Sequence, residues 1–413
     1  MSAGDAHFDV VIVGGGPVGA ALGALLRHAP AGRVPRVLLL ERSLPAVELP
    51  PAPDLRVFAL SRASERILRT IGAWEPLAAE PGALAAYERM HVWPMRGQAR
   101  GEGSLSFDAA ELGEPDLGHI VTNSALQRAL LAAFEAAGGC VQQGSVQRLE
   151  FLEGRVCLQS TAGVVTAAVL VGADGGRSLV REQAGLGFES EDYGQLALVC
   201  TVQSEQPHEH TAWQRFLGEG TLALLPLGSG ESSIVWSLPC TRALELLALP
   251  AEAFSTELTA ASDGVLGTLT LVSERLQFPL RRASAVHYVR ERCALVGDAA
   301  HSVHPLAGQG VNLGFLDAAA LAETLAAGRA SGEDLGALRL LRRYERWRKS
   351  ENESLSLALS LLNRFLAFGD GELGRWAERG MGWVGRSAAL RRPFAERALG
   401  LSGELPQVAR RVI

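Results

Sequence analysis

The apolar residues of this chain alternate between short β-branched runs and longer helical patterns, first near the start and again past the middle. Phe8 to Val13 is a continuous apolar run, as required of a strand buried on both faces. Small residues from Val18 to His28 follow at helical spacing, and Arg36 to Leu40 is a second buried run ending at Glu41. The pattern predicts strand, tight turn, helix and strand within about thirty residues. Pro45 to Pro53 reads as a proline-rich loop and Ser61 to Ile71 as a helix with Ser61 as its N-cap. Trp93 to Asp116 is glycine-rich and reads as irregular, and Leu126 to Ala137 as a helix closed by Gly138-Gly139. Val146 to Leu152 and Val156 to Ser160 flank Glu153-Gly154 as a hairpin.

Val164 to Val171 and Cys293 to Val296 are two further buried runs. Between them, Leu196 to Leu280 is mostly strand-like, with one helix near Ala251 to Ala261. After Asn312 the chain is helical to about Ala327, and again from Leu338 to Leu366. The expected fold is α/β: a nucleotide domain with a parallel sheet, interrupted by a mostly antiparallel second sheet domain, and ending in a helical tail. Residues 1–75, 118–190 and 281–345 would form the first domain, 76–117 and 191–280 the second, and 346–413 the tail.

Three of the buried runs lead into glycine-containing motifs. Gly14, Gly16 and Gly19 match G-x-G-x-x-G: a tight turn, a close backbone approach to a pyrophosphate, and close helix packing. Glu41, closing the second run, can hold a ribose hydroxyl pair. A Gly-rich turn with no ligand gives the same letters, but the strand before it, the helix after it and Glu41 favour a dinucleotide site. Gly172-Ala173-Asp174-Gly175-Gly176-Arg177-Ser178 follows the third run. Gly297-Asp298-Ala299-Ala300-His301, leading to Gly308-Gln309-Gly310-Val311-Asn312, follows the fourth. Asp298 would stand at a strand's carboxyl end, able to accept from a ribityl hydroxyl or to cap the helix near Gly310. The strands carrying the three motifs are expected to lie near one another in a single parallel sheet.

A formal charge of −6 argues against nucleic acid as the main partner, because a phosphate-binding surface needs a cationic stripe. The five cysteines contain no C-x-x-C and suit neither a disulfide framework nor a zinc site. His301 and His304 are spaced like some metal ligands, but Pro305 breaks the helical pairing, so no metal is expected. His208 and His210 read as exposed loop residues. Lys349 is the only lysine, and none follows the glycines as a P-loop requires. No G-x-S-x-G elbow supports nucleophilic hydrolysis. The apolar stretch from Phe8 to Leu26 carries clustered glycines and Pro17, so it reads as a soluble strand–turn–helix, and no signal peptide is expected.

Together these motifs resemble the aromatic hydroxylase flavoproteins typified by p-hydroxybenzoate hydroxylase. Closer still is their ubiquinone-biosynthesis branch, the UbiH, UbiI and UbiF types. Further stretches carry the likeness: Asp54-Leu55-Arg56, Leu117 to Val121 with Asn123 and Gln127, Gln214-Arg215-Phe216, Ala223 to Pro226, and His304 to Gly314. Thr122 and His119 depart from it, standing where Glu and Tyr are common. The resemblance implies a Rossmann-like FAD-binding domain and a substrate domain. It implies that Gly14, Gly16, Gly19 and Glu41 hold the ADP half, that Arg56 and Gln127 contact FAD, and that Asp174 serves FAD and NAD(P)H. Asp298, Pro305, Gly308, Gly310 and Asn312 would line the ribityl chain and ring. It further implies that NAD(P)H reduces the flavin and that one atom of O₂ is inserted into a polyprenylated phenol; no catalytic acid or base is identified. The protein would be cytoplasmic, or peripheral to the inner membrane. A leucine face at Leu355, Leu359, Leu362 and Leu366 reads as core packing or a prenyl-facing groove. The arginine-rich tail reads as a solvated face or as a contact with anionic lipid or a biosynthetic complex. A flavoprotein without oxygen insertion and a non-catalytic FAD-binding subunit remain alternatives.

Overall fold

A computed structural model describes residues 6–28, 34–45, 54–101, 103–218, 220–302, 309–366, 392, 396–397 and 399–411. Strands Cys293–Leu295, Gly163–Gly172, Ala6–Val13, Val37–Glu41 and Cys140–Gln143 lie side by side in that order, all parallel. The three motif-bearing strands are therefore immediate neighbours, as their apolar runs predict. Strands buried on both faces need apolar residues throughout: Val10, Val11, Ile12, Leu38, Leu39 and Leu40 are all buried. Each such aliphatic side chain contributes about 2 kcal/mol of burial. The hairpin Val146–Leu152 and Arg155–Ser160 extends this sheet antiparallel, through Gly163–Gly172. Helices Pro17–Arg27, Asn123–Ala136 and Gln309–Ala330 supply much of the same core.

A second sheet of nine strands is built almost wholly from antiparallel pairs, with one parallel pair between Thr211–Leu217 and Arg89–Pro94. One face packs on helices Cys240–Ala248 and Ala251–Ala261 around Trp93, Trp213, Trp236 and Phe254. The first of these helices is a correction, since a single helix was expected here. Its buried Ala243 and Leu246 are three apart, a helical spacing hidden in a short run beside a strand. The segment Trp93 to Asp116 is likewise more regular than its glycines suggest, containing strand Leu105–Asp108 and helix Ala109–Leu112. Residues His301–Ser302 leave the third motif and pair with Ala283 and Ser284, so the two large sheets meet at that motif.

A small antiparallel sheet of Val57–Leu60, Gly118–Thr122 and Leu84–Tyr87 lies between them. Its Ala59, Ala85 and Ile120 pack with Leu225 and Leu227 of the larger sheet's region. Helix Arg62–Thr70 follows, with Ser61 as its N-cap accepting from the Ser64 N–H. Helix Leu338–Leu366 lies where its pattern predicts. Among the described residues no helix is long and apolar enough to cross a membrane. Residues 46–53, the side chains of Leu359, Leu362 and Leu366, and most of the arginine-rich tail lie outside the described residues.

Candidate functional site

The glycine loop between Ala6–Val13 and Pro17–Arg27 separates two demands. A Cβ on Gly14, whose φ is +109°, would come within 2.3 Å of the Ala173 carbonyl oxygen; one on Gly19 would come within 2.0 Å of the Gly14 oxygen. The chain's own packing therefore requires both. Gly16 is different: its backbone is extended, and a Cβ there would meet nothing within 4 Å. That open space faces the start of a helix with no side-chain cap, where backbone N–H groups are left for an anion. A pyrophosphate fits this cradle.

Two side chains fix the loop between these glycines. The Glu41 carboxylate accepts from the Gly15 N–H at 2.5 Å and from the Ser43 N–H at 3.0 Å. Gln127, from helix Asn123–Ala136, donates to the Gly15 carbonyl at 2.8 Å. Arg56 is exposed just before strand Val57–Leu60, its guanidinium 5.7 Å from the Phe58 ring centre.

In the second motif, the Asp174 carboxylate accepts from the Ser178 hydroxyl at 2.5 Å and from the Val180 N–H at 3.1 Å, closing the turn into the helix Leu179–Gln183. Arg181, which the sequence did not single out, joins this motif to the third. It donates to the Gly176 and Ala299 carbonyls, each at 2.8 Å, and lies 3.5 Å from the Phe188 ring centre. Its signal was its place three residues after Ser178, but one arginine among many gives no warning of burial.

Asp298 sits in the 3₁₀ turn Gly297–Ala299, at the carboxyl end of the Cys293–Leu295 strand. Its side chain is reachable by solvent, with much of the protein crowded around its carboxyl. That crowding raises its carboxyl above the ordinary value, against the pull of His301 and Arg56. Arg56 and Asp298, far apart in sequence, are thus electrostatic neighbours.

Asn312 is buried and ties the start of its helix to the segment Ala59–Ser64. Its Oδ1 accepts from the Ser61 N–H at 2.9 Å and the Ser64 hydroxyl at 2.6 Å, and its Nδ2 donates to the Ala59 carbonyl at 2.8 Å. Gly310 lies in the first turn of Gln309–Ala330, and a Cβ there would meet nothing within 4 Å. Pro305 and Gly308 fall outside the described residues.

Beneath Asp298 is a buried ionic network that sequence reasoning missed. Asp317, fully buried, accepts from His301 at 2.5 Å, from Arg348 Nε at 2.9 Å, from Asn352 at 3.0 Å and from the Gly297 N–H at 3.2 Å. Burial alone would raise its carboxyl, but His301 and Arg348 bring it down to about 2. His301 is thus tied to a carboxylate. The available signal was a lone acid in the apolar stretch from Val311 to Leu321, since a buried charge needs a partner. Arg348 stood among other charges and could not be told apart. Of the other histidines, His210 is exposed as expected, whereas His208 is half-buried, 3.3 Å from the Leu227 carbonyl.

The family described as FAD binding domain matches residues 7–355. Ubiquinone hydroxylase UbiL of Rhodospirillum rubrum is 35% identical over 413 residues, spanning 98% of this chain and 93% of its own. The 3-demethoxyubiquinol 3-hydroxylase of Escherichia coli is 34% identical over 398 residues, 95% of this chain and 98% of its own. The chain belongs to the FAD-binding hydroxylases of ubiquinone biosynthesis. Among solved structures, p-nitrophenol 4-monooxygenase PnpA from Pseudomonas putida has a TM-score of 0.74 at 17% identity, covering 96% of this chain and 99% of that one. The fold extends well beyond the range of close sequence likeness. The protein binds FAD.

Proposed function

We propose that this flavoprotein uses NAD(P)H and O₂ to hydroxylate the ring of a polyprenylated phenol in ubiquinone biosynthesis. The observation that carries the proposal is the convergence of three motif strands at one sheet end, in a chain alike almost throughout to named ubiquinone hydroxylases. In this reading Gly14, Gly16 and Gly19 cradle the pyrophosphate, Glu41 holds the adenosine ribose, and Gln127 keeps Gly15 in place between them. Arg56, Asp298, Pro305, Gly308, Gly310 and Asn312 surround the ribityl chain and ring, with Asn312 acting by tying Ser61 to the helix that starts there. Asp174 shapes the second motif. Bound FAD would supply two-electron redox chemistry between nicotinamide and oxygen. The protein's part is to position the ring, exclude water and set the timing of reduction.

The same reading assigns residues 1–75, 118–190 and 281–345 to the cofactor domain, 76–117 and 191–280 to the substrate domain, and 346–413 to a tail that meets membrane lipid or partner enzymes. The test is NAD(P)H oxidation by the purified yellow protein under ¹⁸O₂ with a prenylphenol. One labelled oxygen in the product supports the proposal. Flavin that turns over to H₂O₂ alone, whatever phenol is added, favours a flavoprotein without oxygen insertion.

A further inference from the structure

His301 leaves one of its two ring nitrogens unused. The residue is 4% exposed, and its Nε2 lies 2.5 Å from the Asp317 carboxylate. With its carboxyl brought down to about 2, Asp317 is ionised at neutral pH and can only accept. Nε2 therefore carries a hydrogen, and the neutral ring is fixed in that tautomer. Nδ1 then holds a lone pair, and a second proton on this ring has nowhere else to go. That atom is buried and has no hydrogen-bond partner among the described residues.

The groups around His301 come from four directions. Helix Gln309–Ala330 brings Asp317 and helix Leu338–Leu366 brings Arg348, and these two charges offset one another. Tyr288 lies along the imidazole, with centroids 5.8 Å apart and planes 24° from parallel, and burial pushes its phenol up, so it stays neutral. Lys349, 6.0 Å from the Tyr288 ring centre, donates to the Val286 carbonyl. The strand paired with His301–Ser302 brings only Ala283 and Ser284. Its own motif brings Asp298, whose carboxyl feels His301 more strongly than Arg56. A negative charge arriving on the Asp298 side of the turn therefore meets His301 as the nearby group with room for a proton.

We propose that His301 is a redox-linked proton site, which takes up one proton from solvent on Nδ1 when bound FAD is reduced by two electrons and releases it on reoxidation. The inference rests on the FAD site of the reading above and adds to it a group that balances charge. Transfer of a hydride to FAD leaves one extra negative charge on the cofactor. A negative charge near an imidazole favours its protonated form. The new N–H bond uses the free lone pair of Nδ1, no other bond of the protein breaks, and the net charge of the pocket is unchanged. Asp317 receives no proton; it holds the ring in place and stabilises the cation, as a carboxylate behind a histidine does.

The test is the midpoint potential of the FAD-loaded protein, titrated with redox dyes from pH 6 to 9. Forming the anionic reduced flavin takes one proton per two electrons, so the ratio of reduced to oxidised flavin at fixed potential falls tenfold per pH unit, about 30 mV. A second proton makes that a hundredfold, about 59 mV. Wild type is expected to show the hundredfold dependence over at least one pH unit while the reduced flavin keeps the spectrum of its anion. His301→Gln can still donate to Asp317 but cannot take up a proton, and should show the tenfold dependence throughout. A purely structural disturbance would displace the potential equally at every pH and leave the slope alone. Should the glutamine variant not hold FAD, His301→Asn is measured in its place. A tenfold dependence in wild type overturns the proposal, as does a neutral reduced-flavin spectrum wherever the slope is steep, which puts the proton on the cofactor. A steep slope kept by the variant also overturns it and moves the proton to another group, Asp298 first. The titration uses no NAD(P)H, O₂ or phenol, so failure of the hydroxylase reading in the labelled-oxygen assay would leave its result standing.

Discussion

Replacing Asp317 by asparagine should expose how the turn carrying Asp298 is held. The carboxylate is fully buried and serves four donors, among them Arg348, itself only 2% exposed. Asp317→Asn keeps the shape but leaves the Arg348 guanidinium buried without its counter-charge. Removing one partner of a buried pair costs about 3–5 kcal/mol. The depression of the Asp317 carboxyl to about 2 gives a similar scale: from an ordinary value near 4, it corresponds to about 3 kcal/mol. For a chain of 413 residues, with an unfolding entropy of roughly 2 cal/mol/K per residue, this lowers Tm by about 4–6 °C. The double variant Asp317→Asn/Arg348→Met removes both charges and should recover at least about 1 kcal/mol of the loss. Scanning calorimetry of the three proteins decides the matter. A single variant that melts within 1 °C of wild type, or losses that simply add, would show that the pair contributes no coupling and that the turn is held by other contacts.

The same network has a pH signature. Because the folded carboxyl lies below its ordinary value, its stabilisation is complete above about pH 4 and is lost as pH falls through about 2. The Tm gap between wild type and Asp317→Asn should therefore be flat from pH 7 to 4 and narrow only below; a gap that closes near pH 6 would point to a different titrating group. Gly16→Val should abolish FAD retention with an apoprotein Tm within about 2 °C of wild type, whereas Gly19→Val should fail to fold, since its Cβ would overlap the Gly14 carbonyl. Flavin absorbance and melting curves separate the two, and a yellow Gly16→Val protein would break the cradle assignment. Asp298→Ala, at a reachable side chain, should shift apoprotein stability by no more than about 0.5 kcal/mol yet weaken FAD binding roughly tenfold through a lost charge-assisted hydrogen bond; unchanged flavin affinity in a titration would remove Asp298 from the site.

The motif strands were legible because a strand buried on both faces must be apolar along its whole length, as Val10 to Val13, Val169 to Val171 and Cys293 to Val296 are. Their adjacency followed from chain order. Helix Leu338–Leu366 was visible in its period. Helix Cys240–Ala248 was not, because nine residues next to a strand offer too few turns for the period to declare itself. The site divided in the same way. Gly14, Gly16 and Gly19 announce themselves by their spacing between a strand and a helix. Arg181, Asp317 and Arg348 do not, because their importance comes from burial and from partners 31 to 118 residues away. Even among the glycines the letters concealed a difference in kind, two required by the chain's own packing and one left free of it.

That difference has an evolutionary consequence. Two of the three loop glycines cannot be lost without losing the protein, so selection for folding alone preserves most of the motif. On the proposed assignment, the middle one is protected only by the usefulness of the cofactor. A descendant of this chain released from catalysis could therefore drift at Gly16 first, keeping its shape and its surfaces intact, and persist as a scaffold that still looks like a flavoenzyme everywhere except at one position.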